Sequence, residues 1–486
     1  MLASQRRAFV AEGPPDVDVR RNRIDRLLAL LLDNTDAFLD AMAADFGTRS
    51  RAASLFTEVV GIIPVIEHTR SHVAQWMKPT KLMRAARILG FKADVEPTPL
   101  GVVGIIGPWN FPVNLVVLPA AAAFAAGNRV MIKMSEITSA TAELMRKLAP
   151  RYFTSDELYV VTGGRDVAAE FTRLPFDHLF FTGSPEIGVL VQRAAADNLV
   201  PVTLELGGKN PVVVAPDADI AQAARRVAAA RMVNGGQVCV CPDYVFVPEA
   251  QLPTFLEAAR RTWQAMFPAV LTNDDYCSCV NEPNYDRVLG LIDDAYVKGA
   301  TVETVAPAGE LLPDRATRKI APTIVHGIEP HMRISSEEIF GPVLMVMGYS
   351  RLCDVIDYIN DRPAPLVAYW YGPDGDDFRT FVTHTRSGGV ARNDFAAQMI
   401  PSAAPFGGVG HSGMGAYHGK AGFDAFTHYR SVVGSDLPFS ITGTASPPFR
   451  TPMKVYANAS LRMARNRTHR RLRRKQSAHV VEGRSR

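Results

Sequence analysis

The chain has 486 residues, 47% of them hydrophobic and 21% charged, with a net charge of +4. That composition excludes a disordered or fibrous chain, and the length is too great for one ordinary core, so two or three folded domains are expected. From Arg450 onward there are 12 Lys/Arg and one acid, which leaves a mildly acidic body, at a net −7, and a strongly basic tail.

In chain order, residues up to about Arg84 carry apolar side chains at helical spacing: Ile24, Leu27, Leu28, Leu31 and Leu32, then Phe38 and Met42. From Ile88 to Val103 the texture becomes extended, broken by Gly90, Pro97 and Pro99, and predicts a strand or hairpin. Residues 101–107 form a continuous apolar run, as in a strand buried on both faces. Residues 114–126 read as a helix, and 129–133, 158–162 and 178–182 as further buried strands with helices between. This rhythm predicts an α/β fold with a doubly wound parallel sheet. A second module starts near Lys209, with a strand at 212–215 and Asp217 or Asp219 placed to cap a helix through Ile220, Ala224, Val227 and Ala228. Gly235 and Gly236 are expected to end that helix. Strand–helix units continue to about Gly422, and 431–434 is a last strand candidate.

Five cysteines, at 239, 241, 277, 279 and 353, do not make a disulfide framework in a chain this long, and reduced thiols in the cytoplasm are expected. Zinc ligands are usually spaced about two to four residues apart, so the two Cys-x-Cys pairs predict no metal. The N-terminal residues lack the apolar run of a secretory signal. The longest apolar stretch, Leu115 to Ala126, contains Pro119 and falls short of a bilayer span.

Two strings carry the chemistry. Asn234-Gly-Gly-Gln-Val-Cys239 offers a cysteine in a glycine-rich turn, and Leu204-Glu-Leu-Gly-Gly-Lys209 offers a carboxylate in another. A thiolate attacks a carbonyl carbon, and a carboxylate then activates water against the acyl-cysteine. Pro108-Trp-Asn-Phe-Pro112 is a stiff turn whose Asn110 amide can donate to an oxyanion or can simply cap the turn. Lys133 and Glu136 lie past a strand, where they can bind ribose hydroxyls or form a solvated helix-start pair. Phe181-Thr-Gly-Ser184 follows a strand and precedes a helix, and Gly183 there allows a tight turn facing a phosphate. Glu338 can hold a ribose with Phe340 packed on it, or can be a surface acid. Residues 405–415 are a glycine-dense loop.

These segments, in this order from about Ala3 to Asp436, resemble the aldehyde dehydrogenase superfamily. The loop from Pro405 to Lys420, with Phe423 and Phe426, is similar to the class 3 and coniferyl-aldehyde dehydrogenase branch. The resemblance implies an NAD-binding domain over 1–83 and 99–208, a catalytic domain over 209–427, and a β oligomerisation ribbon over 84–98 and 428–436. Residues 437–486 are left as a flexible basic tail. It also implies a homodimer, an aromatic or medium- to long-chain aliphatic aldehyde as substrate, and NAD as cofactor, with NADP also accepted. By the same resemblance Cys239 is the nucleophile, Asn110 the oxyanion donor and Glu205 the acid that activates water. Trp109, Lys133, Glu136, Gly183, Ser184, Glu338 and Phe340 match cofactor-contacting positions. Met134 stands where the family usually has proline, and Val238 where this branch usually has threonine.

Two other readings remain open at this stage. A CoA-acylating dehydrogenase would use a thiol in place of water, and Glu205 speaks against it. The basic tail, with Leu461, Met463 and Leu472 among its arginines, can lie on an anionic membrane or nucleic acid, giving a binding protein or a membrane-peripheral enzyme. Its composition favours a solvated tail. Cys241, two residues from Cys239, is a candidate for a transient bond with it under oxidation.

Overall fold

The β-branched runs become strands covered on both faces, because a parallel sheet carries its crossover helices on either side. The computed structural model describes residues 1–88, 90–438, 440, 443, 446–449 and 451–482. They fall into two units: residues 1–78 with 97–430, and residues 79–96 with those from Ser431 onward.

The first unit contains two sheets. One has six strands in the order Gly413–Met414, Val202–Leu206, His178–Gly183, Val102–Ile106, Arg129–Lys133 and Leu158–Val161. Neighbours are parallel except Gly413–Met414, which runs antiparallel to Val202–Leu206. The chain enters at Val102–Ile106, fills one side of the sheet, then crosses to the other at His178–Gly183. Ligands of doubly wound sheets bind outside the carboxyl ends of the strands at such a reversal. The helix Asn114–Ala126 is buried along nearly its whole length, and Gly127, at φ 92°, closes it in a left-handed cap.

The second sheet has seven strands in the order Thr301–Thr304, Thr323–His326, Val343–Tyr349, Pro242–Pro248, Asn210–Val214, Val367–Tyr371 and Gly389–Arg392, with only Thr301–Thr304 antiparallel to its neighbour. Asp219 caps the helix Ile220–Arg231, its side chain accepting from the Gln222 N–H at 2.9 Å. Gly235 and Gly236 do not end that helix, which stops at Arg231. They instead form the next turn at φ 63° and 78°, and a Cβ on Gly236 would strike the Gly341 carbonyl.

The helical spacing near the N-terminus gives Val17–Leu32 and Thr35–Phe46, with Ile24, Leu27, Leu31, Phe38 and Met42 in the core and Leu32 exposed. The helical run Arg51–Trp76 is long and apolar enough, by length and composition alone, to cross a bilayer. Its Val59, Ile62, Ile66 and Val73 belong to the core.

The second unit is built on a three-stranded sheet in which Phe91–Pro99 lies between Thr80–Leu82 and Thr427–Ser435. Thr80–Leu82 pairs antiparallel with Phe91–Pro99, Thr80 opposite Val95, so the hairpin starts before residue 84, the expected beginning of the ribbon. The tail, expected to be flexible, carries an α-helix over Thr451–Glu482. Ala, Arg, Lys, Met and Leu are good helix formers, and composition outweighs charge repulsion there. Arg462, Arg465, Arg467, Arg470, Arg471 and Arg473 spread over about two-thirds of its circumference, and Leu461 and Leu472 fall in the remaining third.

Candidate active site

Cys239 sits on a turn fixed by two strands of the seven-stranded sheet. The Asn210 side-chain amide donates to the carbonyls of Cys239 and Cys241 at 2.7 and 3.0 Å, and its oxygen accepts from the Val367 N–H at 2.9 Å. The Tyr369 hydroxyl donates to the Val240 carbonyl at 2.6 Å. Gln237 pins the start of the turn, donating to Ser278 and Asn234 carbonyls and accepting from the Val280 N–H. So held, the half-buried Cys239 thiol faces a cavity, with the backbone N–H groups of Cys239 and Val240 close by. Cys241 points the other way: it is buried, with its thiol on the Ala230 and Arg231 carbonyls. A bond between the two cysteines would require the Cys241 thiol to leave those carbonyls.

All ten residues singled out in the sequence line this one cavity, of about 1750 Å³. Asn110 comes from the turn after Val102–Ile106. Its amide donates to the Gln237 carbonyl at 3.2 Å, which brings it to the cysteine turn. Glu205 comes from the end of Val202–Leu206. It is 3% exposed, and neither carboxyl oxygen has a hydrogen-bond partner among the described residues. Burial without a partner disfavours the charged form and raises its pKa well above the usual carboxylate range. Burial also pushes the Cys239 thiol up to about 12, with the nearby carboxyls of Glu338 and Glu205 adding to the shift.

The residues expected on the cofactor side line the cavity near the reversal point of the six-stranded sheet. Lys133 is buried, its ammonium on the Met134 carbonyl at 2.6 Å and 3.8 Å from Glu136. Ser184 caps the helix Pro185–Ala196, whose N-terminus opens on the cavity. Gly183 is needed for room, not for a tight turn: its φ is ordinary, but a Cβ would run into the Phe181 ring. Glu338 packs so closely on Gly207 that a Cβ there would meet its carboxylate, which explains one glycine of the Leu-Gly-Gly-Lys string. Burial, reinforced by Asp243, raises Glu338 to about 8. Lys209 anchors that loop by donating to the Ile334 and Glu337 carbonyls at 2.9 and 2.8 Å. Phe340, at φ 48°, sets its ring 5.4 Å from Trp109 in an edge-to-face contact.

A dinucleotide fits these residues. A helix N-terminus suits a phosphate. The Thr182 hydroxyl, buried beside it, has no partner among the described residues, and Lys133, Glu136 and Glu338 offer donors and acceptors to ribose hydroxyls. Sequence reasoning missed Asn210, Thr182 and Tyr417. Asn210 directly follows Lys209 and looks like a strand residue. Tyr417 lies in the quoted 405–420 loop, yet nothing local shows that its ring, 1% exposed, reaches the cavity beside Glu205 and Cys239.

Comparison with known proteins gives the same picture. The aldehyde dehydrogenase family profile matches residues 3–432. The chain is 45% identical over 432 residues to the coniferyl aldehyde dehydrogenase of Pseudomonas sp. strain HR199, covering 89% of each. It is 34% identical over 433 residues to the dimeric, NADP-preferring aldehyde dehydrogenase of Rattus norvegicus, covering 89% of this chain and 93% of that one. The solved substrate-bound state of Staphylococcus aureus AldH superposes with a TM-score of 0.87 at 32% identity, over 94% of this chain and 98% of that one. With a cysteine, an asparagine amide and a buried carboxyl converging on a cavity that fits a dinucleotide, the chain belongs to the aldehyde dehydrogenase family and oxidises aldehydes with NAD(P).

Proposed function

We propose that the substrate is an aromatic aldehyde of the coniferyl type and that Cys239, Asn110 and Glu205 carry the reaction. The observation that supports this most is the convergence of those three side chains on one cavity, in a chain 45% identical to a coniferyl aldehyde dehydrogenase. Aromatic side chains also line that cavity, among them Trp109, Phe340, Phe406 and Tyr417.

In this reading Cys239 gives up its thiol proton to solvent, and the sulfur bonds to the aldehyde carbon. Asn110 and the Cys239 N–H donate to the oxygen, and losing one such donor costs about 3 kcal/mol of transition-state stabilisation. The nicotinamide supplies the acceptor for the hydride that leaves the thiohemiacetal carbon. Cys239 is then a thioester. Glu205, in its ionised form, takes a proton from the attacking water, and burial makes that carboxylate a stronger base than one in water. The Cys239 sulfur leaves and the carboxylic acid departs. A deeply placed, unpartnered carboxyl suits hydrolysis and has no role in acyl transfer to a thiol, so it favours acid formation over the CoA-acylating reading.

Glu136 beside Lys133 supports a preference for NAD, because an acid near the ribose repels a 2′-phosphate. A homodimer joined through the Thr427–Ser435 ribbon is supported by its exposed edge, where Val432 and Val433 are 41% and 59% exposed. Five free cysteines suit a reducing cytoplasm. The deciding experiment follows nucleotide reduction over a panel of aromatic and aliphatic aldehydes and looks for an acyl adduct on Cys239 by mass spectrometry. A clear preference for aliphatic aldehydes, or a linked acyl group on another residue, would overturn this reading.

A further inference from the structure

The turn that carries Asn110 is gripped from behind by a buried ion pair. Arg49 and Glu58 lie 2.8 Å apart, with side chains 3% and 0% exposed. Arg49 Nη1 donates to the Asn110 carbonyl at 3.0 Å and Nε donates to Ser54 Oγ at 3.1 Å. Its guanidinium is 4.6 Å from the Phe46 ring centroid and 5.5 Å from that of Phe111. Glu58 Oε2 accepts from the N–H groups of Val113 and Asn114 at 3.2 and 2.8 Å. Arg49 therefore holds the front of this short segment and Glu58 its rear. The Asn234 amide meets the same Asn110 carbonyl at 3.2 Å.

A buried ion pair is a poor source of stability, since desolvation of both charges offsets most of their attraction, but it fixes geometry tightly. Glu58 lies in the π-helical turn Leu55–Val59, a local widening often found where a side chain must be aimed. The neighbouring Asn114 amide donates to the Thr57 carbonyl at 2.9 Å, so this turn and the Asn110 segment are joined at a second point.

The geometry points to Arg49 and Glu58 as positioning residues for catalysis: together they set where the Asn110 amide stands over the Cys239 turn. This rests on the reading of Asn110 as the oxyanion donor. Neither residue lines the cavity, so neither touches substrate. Their effect reaches the reaction through Asn110 alone.

The test is a double-mutant cycle on the full-length enzyme, using Arg49→Lys, Glu58→Gln, Asn110→Ala and the combinations. Arg49→Lys keeps the charge and loses the fork that bridges Glu58 and the Asn110 carbonyl. Each single positioning variant should lower kcat by roughly ten- to a hundred-fold, as small misplacements of a catalytic group do. KM for the aldehyde, cofactor affinity by fluorescence and the rate of Cys239 alkylation should stay close to those of the wild type. On the Asn110→Ala background neither variant should slow the enzyme further. If either slows Asn110→Ala by its full factor, or if both leave kcat unchanged, the positioning role is lost. A wild-type kcat for Asn110→Ala itself is a separate result: it removes the oxyanion reading and this proposal with it. Should Arg49→Lys not fold, Glu58→Gln carries the same comparison.

Discussion

Thr182 and Glu205 stand in register on adjacent parallel strands, at the carboxyl ends that floor the cavity. Both are buried, and neither the Thr182 hydroxyl nor the Glu205 carboxyl has a hydrogen-bond partner among the described residues. Unpaired buried polar groups destabilise a fold by about 1–3 kcal/mol each, so two such groups at one place mark a site built to receive something else. Thr182 stands beside the helix N-terminus that suits a phosphate, while Glu205 stands on the side of the thiol.

Replacing Glu205 by Gln should separate the two halves of the reaction. The amide keeps the shape and cannot take a proton from water. Stopped-flow mixing with aldehyde and NAD should still give a burst of reduced nucleotide close to one per active site. Steady turnover should fall by about 10²–10⁴, the usual contribution of a general base. A variant that turns over at the wild-type rate would remove Glu205 from the deacylation step.

The same substitution should change stability with pH, and its sign follows from burial. The folded state raises the Glu205 pKa, so folding holds a proton that the unfolded chain loses above about pH 4.3. Stability is greatest below the unfolded pKa and is lost as pH rises towards the folded one. Gln has no such loss. The melting temperature of Glu205→Gln should therefore match the wild type near pH 4.5 and exceed it increasingly up to neutral pH and beyond, with the gap levelling once the folded carboxyl ionises. A constant difference across pH would show that Glu205 is not held neutral by its surroundings.

Much of the fold was legible in the sequence because continuous apolar strands bounded by glycine carry a strong local signal: 129–133 and the helix 114–126 are where the pattern puts them. The residues that line the cavity were legible for a different reason. Cys239, Glu205 and Asn110 sit in short strings rich in glycine and proline, and the φ of Gly235 and Gly236 shows that two of those glycines are required by backbone geometry. What could not be read was whatever depends on contacts distant in sequence. Arg49 and Glu58 look like ordinary helix charges until the fold brings them to a turn more than fifty residues away. Gly235 and Gly236 were misread as a helix end because a glycine pair has the same local appearance in either role.

The half-buried Cys239 thiol has a predictable reactivity without cofactor. With its pKa pushed up to about 12, Cys239 is a thiol at neutral pH, and only the thiolate is alkylated. Inactivation of the free enzyme by iodoacetamide should therefore be slow at pH 7. It should climb by about tenfold per pH unit through pH 10, since the thiolate fraction grows in that proportion. A plateau below pH 9 would mean that the sulfur is ionised by some interaction that outweighs its burial.

Gly207→Ala tests the cofactor side of the cavity separately from the chemistry. A Cβ at this position would collide with the Glu338 carboxylate, while Lys209 holds the backbone of the same loop through the Ile334 and Glu337 carbonyls. The loop cannot back away, so the Glu338 side chain has to move. If Glu338 meets the cofactor, as the family resemblance implies, KM for NAD should rise about tenfold with kcat little changed, the pattern of an interaction made equally in the ground and transition states. Alkylation of Cys239 in the absence of NAD should keep its wild-type rate, which guards against a general distortion of the site. An unchanged KM for NAD, with Glu338 shown to be displaced by a crystal structure of the variant, would take Glu338 out of the cofactor site and leave Lys133, Glu136 and the helix N-terminus to hold the nucleotide.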